Sequence, residues 1–184
     1  MLDLYLTHEL KIYSNSNIRV LHFAPEDILF KKLSSLDIEY VDADINPANA
    51  RFIVDITNIG YQDDYFDIII CSHVLGHVPD EPRAIQELYR VMKKDGTAVI
   101  MTLLNRNRES TYENPDITLP EDRLKYYGEP DLCRLHGLDF QERLARQGFV
   151  VERIDYREKL PAETLDRNCL GDGDREIIFK CRKQ

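Results

Sequence analysis

The sequence predicts a single α/β domain built on a doubly wound, mostly parallel, seven-stranded sheet with one antiparallel edge strand. Five short apolar runs alternate with segments of helical period, the pattern of parallel strands joined by crossover helices. Two of them, Phe66 to Cys71 and Thr97 to Leu103, are continuously apolar, which suits strands covered on both faces. The last two runs, Phe149 to Tyr156 and Glu176 to Cys181, have no helical pattern between them, so the sheet should close with an antiparallel return. With 184 residues, 43% of them hydrophobic and 31% charged, the chain has the size and composition of one globular domain, and it shows no internal repeat.

Taken in order, Met1 to Ser16 carries Leu2, Leu6, Leu10 and Tyr13 at helical spacing, a short leading helix before the polar break Ser14-Asn15-Ser16-Asn17. The run from Ile18 is a buried first strand that stops at Pro25. It feeds a helix over Glu26 to Leu36, with Leu29, Leu33 and Leu36 on one face and Lys31 and Lys32 opposite. Ile38 to Val41 gives a second strand ending in Asp42-Ala43-Asp44, and Arg51 to Asp55 a third. Between them Asn46-Pro47-Ala48-Asn49 breaks the period, so the second crossover helix is reduced or missing. After the fourth strand Asp80 caps a helix whose Ile85, Leu88, Tyr89 and Met92 share a face, and Lys93-Lys94 meet its dipole before Gly96. From Leu104 to His136 the pattern dissolves around Pro115, Pro120, Gly128 and Pro130, a connection of the length used for lids. Asp139-Phe140-Gln141-Glu142 has the form of a capping box, opening a helix through Leu144 that ends at Gly148. The final return includes Gly171-Asp172-Gly173-Asp174.

Composition also excludes function classes. No apolar run approaches the ~20 residues of a bilayer span, and Met1-Leu2-Asp3 lacks the basic start of a signal peptide, so the cytoplasm is the expected location. Cys71, Cys133, Cys169 and Cys181 form no Cys-x-x-Cys pair, so neither a disulfide framework nor a metal site is expected. A net charge of −9, with no basic stretch interleaved with aromatics, argues against nucleic acid and leaves a small molecule as partner. Oligomeric state has no signature in the sequence.

The strand-to-helix junction at Ile18 to Glu26 is where doubly wound domains hold nucleotide-like ligands. All eight glycines lie at Gly60 or later, so no glycine loop can cradle a pyrophosphate, and a nucleotide-linked oxidoreductase is disfavoured. Leu21-His22-Phe23-Ala24-Pro25-Glu26 resembles the first motif of a type 11-like branch of the class I S-adenosylmethionine-dependent methyltransferases, in which His-Phe-Ala-Pro-Glu replaces Asp-x-Gly-x-Gly. The similarity continues through Tyr40 to Asp44, Asp55-Ile56-Thr57, Phe66 to Val78, Tyr89-Arg90-Val91 and Gly96, and again from Tyr112 to Gly148. It implies a Rossmann-like methyltransferase fold, S-adenosyl-L-methionine as cofactor, a small-molecule acceptor and a lid over residues 104–136.

On that resemblance the cofactor's parts acquire partners. Asp44, followed by Ile45, matches the carboxylate that accepts both ribose hydroxyls; Asp42 is a close rival, and an aspartate at a strand end also serves as a turn residue. Asp55 matches the acceptor for the adenine amine and Ile56 the residue that covers the ring; without the resemblance they read as a solvated turn acid and a core isoleucine. His22, Phe23, Ala24, Pro25 and Glu26 would wrap the methionine end, the alternative being a simple turn with His22 hydrogen-bonded in the core. Ala24 cannot adopt positive φ as cheaply as glycine, so this turn is expected to follow a different path from the common one. Cys71 and Ser72 would offer carbonyls to the cofactor's amino group, with His73 near the methyl.

Methyl transfer is an in-line displacement, so alignment supplies most of the rate, and a base is needed only for an acceptor that must lose a proton. His73 and His136 are the catalytic candidates, and His77, Tyr126, Tyr127 and Arg134 the candidates for substrate binding. The sequence departs from the family pattern twice: Gly76 stands where Glu is usual before His77, and Leu132 where Asp131-Leu132-Cys133-Arg134 usually has histidine. His136 is placed to compensate for the second, unless it is a solvated loop histidine. These departures and the shrunken second crossover keep an alternative open, a methyltransferase-fold binding or scaffold protein without catalysis.

Overall fold

The computed structural model describes residues 1–171 and 175–183. Its strands are β1 (Arg19–Phe23), β2 (Glu39–Asp44), β3 (Phe52–Ile53), β4 (Phe66–Ser72), β5 (Met92–Met101), β6 (Phe149–Asp155) and β7 (Ile177–Lys183), and they form one sheet in the order β3-β2-β1-β4-β5-β7-β6. Strands β1 to β5 pair in parallel, while β7 runs antiparallel to both β5 and β6. The reversed strand therefore lies next to the outermost β6. Strand order changes direction between β1 and β4, which leaves a crevice at their carboxyl ends.

The helices are α1 (Leu2–His8), α2 (Asp27–Ser34), α3 (Glu81–Val91), α4 (Pro120–Tyr127), α5 (Phe140–Ala145) and α6 (Ala162–Arg167). Successive residues of β4 explain why its sequence has no polar face: Ile68 and Ile70 enter the cluster of Leu6, Leu29 and Leu33 from α1 and α2, while Ile69 and Cys71 enter that of Ile85, Leu88, Phe140 and Leu144 from α3 and α5. Each fully buried leucine of this kind contributes about 1.5–3 kcal/mol relative to exposure. Among the described residues, no helix is long and apolar enough to cross a membrane.

Three local details differ from the sequence reading. Helix α3 starts as expected, with Asp80 accepting from the Arg83 amide at 3.1 Å, but it ends at Val91 rather than running on to Lys94. The amides of Asp64 and Tyr65 bond the carbonyls of Arg90 and Val91, closing the helix end that the lysines were expected to complement, and Met92 pairs at once with Phe66. Asp139 does not cap α5, because its carboxylate accepts from the Thr111 amide and hydroxyl, each at 2.7 Å. The stretch after β6 contains α6, which buries none of its residues and so leaves no apolar signal. Of the Gly171-Asp172-Gly173-Asp174 return, residues 172–174 lie outside the described residues.

The missing second crossover is replaced by a turn in which the Asn46 amide bonds Asp44 Oδ1 at 2.7 Å and the Ala48 amide bonds Asn46 Oδ1 at 3.0 Å. The long connection after β5 contains α4, and its two ends meet. Leu104 bridges His136, and Tyr112 bridges Leu135.

Candidate functional site

A cleft of about 600 Å³ opens at the carboxyl ends of β1, β2, β3 and β4. Its walls come from Phe23 and Ala24 after β1, Asp44 and Ile45 after β2, residues 54–57 after β3, and His73 and Val74 after β4. His77 to Asp80 and Asp131 complete the rim.

Two of these wall residues have left-handed backbones without being glycine: Ala24 at φ 47° and His73 at φ 56°. Such a conformation costs an L-residue about 1–2 kcal/mol. The Ala24 amide bonds the Ala43 carbonyl and the His73 amide bonds the Met101 carbonyl, both at 2.9 Å, so neighbouring strands hold both positions. Ala24 thus adopts the positive φ that was expected to be costly for it. The chain accepts the strain and keeps the positive φ.

His22 alternates away from the cleft. Its ring is fully buried, with Nδ1 2.9 Å from the Tyr40 hydroxyl and Nε2 2.9 Å from Glu26 Oε2, the hydrogen-bonded core histidine of the alternative reading. Burial pushes the Glu26 carboxyl up, but bonds from His22, from its own backbone amide and from Ser72 outweigh this and hold it below the usual carboxylate range. Neither His22, Glu26, Cys71 nor Ser72 lines the cleft, and Pro25 faces a smaller hollow beyond Asp44 with Ala24, Asp27 and Asn49. Cys71 and Ser72 are buried in β4, and the Ser72 side chain bonds Glu26.

The two aspartates of β2 separate cleanly. Asp42 is fully buried and accepts from the Arg51 amide at 2.8 Å and from Arg51 Nε at 2.6 Å, so its carboxylate is spent on the β2–β3 turn. Asp44 lies on the cleft wall and, among the described residues, accepts from the amide of Asn46 and, at 3.3 Å, from Asn49 Nδ2. Asp55 accepts from the Thr57 amide and hydroxyl through Oδ1 alone, leaving Oδ2 outside those bonds. Ile45, 71% exposed, and the buried Ile56 line the cleft beside these acids.

At the other end His73 is held neutral mainly by burial, with the Arg175 guanidinium lowering its pKa further and Glu26 and Glu129 opposing. His77 sits between two acids, with Asp131 Oδ2 3.3 Å from Nδ1 and Glu129 Oε2 3.8 Å from Nε2. One ligand atom from each of the three residues lies within 4.8 Å of the others, the spacing of a cation site. The acids face opposite ring nitrogens, however, and Glu129 also pairs with Arg175 at 2.8 Å. The three side chains are thus divided between opposite sides of the ring and an existing ion pair rather than turned toward one point.

Four residues expected at the site are not brought to it. His136 is 1% exposed, with Nδ1 2.7 Å from the Thr102 hydroxyl and Nε2 2.6 Å from Glu81 Oε1, and Arg143 closes the other oxygen of Glu81. Burial lowers the His136 pKa, so its ring is neutral, while Glu81 stays ionised against Arg143. Arg134 is buried and donates to the carbonyls of Leu75, Val78 and Pro79 and to Glu113, stitching the long connection to the rim loop. The Tyr127 ring is buried, its hydroxyl bonded to the Asn114 backbone, and Tyr126 points from α4 into solvent. Conversely, Val54, Thr57, Val74, Val78, Pro79, Asp80 and Asp131 line the cleft without having been singled out. Asp131 opens the Asp-Leu-Cys-Arg segment and Asp80 was read as the cap of α3, so both were within reach of the sequence; the remaining wall residues carry no such mark.

A crevice at the switch point of a doubly wound sheet, with carboxylates at two adjoining strand tips, places the chain in the class of Rossmann-like α/β domains. The chain belongs to the methyltransferase domain family, whose family model matches residues 16–155. Over 55 residues it is 38% identical to 2-phytyl-1,4-naphtoquinone methyltransferase of Nostoc punctiforme, a match covering 30% of this chain and only 24% of that relative's length. Among solved structures, the [4+2]-cyclase SpnF superposes with a TM-score of 0.68 at 16% identity, covering 98% of this chain and 79% of that one. A SAM dependent methyltransferase from Archaeoglobus fulgidus superposes at 0.62 and 17% identity, covering 99% and 93%. At such identities the likeness is one of fold.

Proposed function

We propose that this protein transfers a methyl group from S-adenosylmethionine to a small-molecule acceptor, as a cytoplasmic enzyme with residues 104–136 forming part of the lid over a single domain. The observation that carries the reading is the convergence of Asp44, Asp55 and the exposed Ile45 on one cleft at the switch point. Their chemistry fits the group. Asp44 retains lone pairs for two ribose hydroxyls, Asp55 Oδ2 for the adenine amine, and Ile45 and Ile56 offer apolar cover for the ring. Backbone at Phe23 and Ala24 would meet the methionine end, with Glu26 fixed behind it by His22, whose other ring nitrogen bonds Tyr40. When bound, the cofactor supplies an electrophilic methyl on a sulfonium.

The remaining work falls to the chain's own residues. Walls at Val74, Val78 and Pro79 exclude water and align the acceptor, which is the larger part of a displacement's rate. His73, neutral at physiological pH, is the base for an acceptor that must lose a proton, taking it on a ring nitrogen. His77 with Asp131 orients the acceptor from the rim.

The test is release of S-adenosylhomocysteine when the protein and cofactor meet a panel of small hydroxyl, amine and carbon nucleophiles. Product above the acceptor-free background, lost in His73→Ala for hydroxyl acceptors, supports the reading. A protein that binds the cofactor but releases nothing across the panel favours the non-catalytic binding alternative, which the packing of Gly76 and Leu132 and the structural use of His136 also fit.

A further inference from the structure

Pro79 lines the cofactor cleft on one side and, on the other, a second hollow of about 420 Å³ between the long connection, α3 and α5. Three arginines from separate elements face this hollow: Arg123 on α4, Arg134 near the end of the connection, and Arg143 on α5. In a chain of net charge −9 that concentration of positive charge is local and opposed to the average.

Two of the three are committed. Arg134 pairs with Glu113 at 2.7 Å and donates to three backbone carbonyls, and Arg143 pairs with Glu81 and, at 3.6 Å, with Glu113. Two carboxylates thus answer two guanidinium groups. Arg123 is the excess cation. Its Nε is sealed from solvent without an acceptor, and among the described residues no carboxylate lies within ion-pair distance of it. A guanidinium N–H removed from water and left without an acceptor is costly, and such groups are rare in folded proteins. Thr118 and Asn114 line the same wall.

We propose that this hollow is an oxyanion site, in which Arg123 anchors the carboxylate or phosphate group of a small ligand. A planar guanidinium fork matches either group in bidentate fashion. An acid held there lies across Pro79 from the cofactor cleft, so an acid long enough to reach past Pro79 is the class of methyl acceptor the two hollows would share. That last step rests on the methyl-transfer reading; the anion site does not.

Calorimetric titration of the whole protein with inorganic phosphate and, separately, with benzoate at low salt tests it. The expected result is saturable binding of at least one anion, weakened at least tenfold in R123Q and less in R123K, with affinity for S-adenosylhomocysteine unchanged. Phosphate alone points to a phosphate ester and benzoate alone to a carboxylic acid. If R123Q proves unstable, the NMR shift of the Arg123 Nε–H resonance on adding either anion to the wild-type protein replaces it. No binding, no shift, or R123Q binding as tightly as wild type overturns the proposal. Failure of the methyl-transfer reading shows separately, as absent S-adenosylhomocysteine binding beside intact anion binding.

Discussion

Leu132 fills the space left by the missing side chain of Gly76: a Cβ at Gly76 would lie 2.7 Å from Leu132 Cδ2. The Cys133 amide bonds the Gly76 carbonyl at 2.8 Å and locks the two segments in that register. The two departures from the pattern that the resemblance implies, 56 positions apart in the chain, therefore meet in one apolar contact. The rim of the cleft is built on it.

Coupling between these positions is measurable. Gly76→Ala should cost about 1 kcal/mol by overpacking and Leu132→Ala about 2–3 kcal/mol by leaving a cavity. The double variant should cost less than the sum by at least ~0.5 kcal/mol, since each change relieves the other. Urea unfolding of the four proteins checks this; strictly additive costs would show that the contact is incidental.

Relief of backbone strain gives a second expectation. Ala24→Gly removes the left-handed penalty at φ 47° but adds glycine's larger unfolded-state entropy, two effects of about 1 kcal/mol each with the strain the greater. The variant should be more stable than wild type by a few tenths of a kcal/mol to about 1 kcal/mol. A lowered urea midpoint would mean that the surrounding turn prefers alanine for its methyl contacts.

Stability should fall as pH is lowered through the histidine range. Burial holds the folded pKa of His136 and His73 below the ordinary 6.5, so below that value the unfolded chain binds more protons than the folded one. Stability from these groups is present above pH 6.5 and declines until their folded pKa values are passed. Glu81 adds a separate, more acidic window: burial raises its carboxyl, but His136, Arg143 and Arg134 hold it below 4.5, so its contribution is lost as pH falls through the folded value. Urea midpoints across pH 4 to 8 should show a slope setting in as pH falls below 6.5 that His136→Asn reduces; an unchanged slope would place the upper window elsewhere.

The two aspartates of β2 should fail in different ways. Asp42→Ala strips Arg51 of its buried partner and should cost about 2–3 kcal/mol of stability. Asp44→Ala removes a partly exposed turn acceptor and should cost under about 1 kcal/mol. Thermal melts of both separate them, and equal losses would contradict the division of labour.

Much of this architecture was legible because both faces of the central strands are apolar and because Asn46-Pro47 cannot continue a helix. The cleft acids Asp44 and Asp55 were legible from strand-end position and resemblance together. What the sequence hides depends on distant partners. His136 and Arg134 look like accessible lid residues until Glu81 and the carbonyls of Leu75 to Pro79, more than 50 positions away, absorb them. His22 stands in the first motif, but strand alternation turns its ring to Tyr40 on the far face. α6 buries nothing and so had no periodicity to read.

Calorimetric titration with S-adenosylhomocysteine, on wild type and Asp44→Ala side by side, bears most directly on the cleft. Loss of charge-assisted hydrogen bonds worth about 1.5–3 kcal/mol translates into an affinity some ten- to a hundredfold weaker. Saturable one-site binding to wild type, weakened to that extent in a variant that still folds, is the expected result; no saturable binding, or equal affinity in the two proteins, would contradict the account.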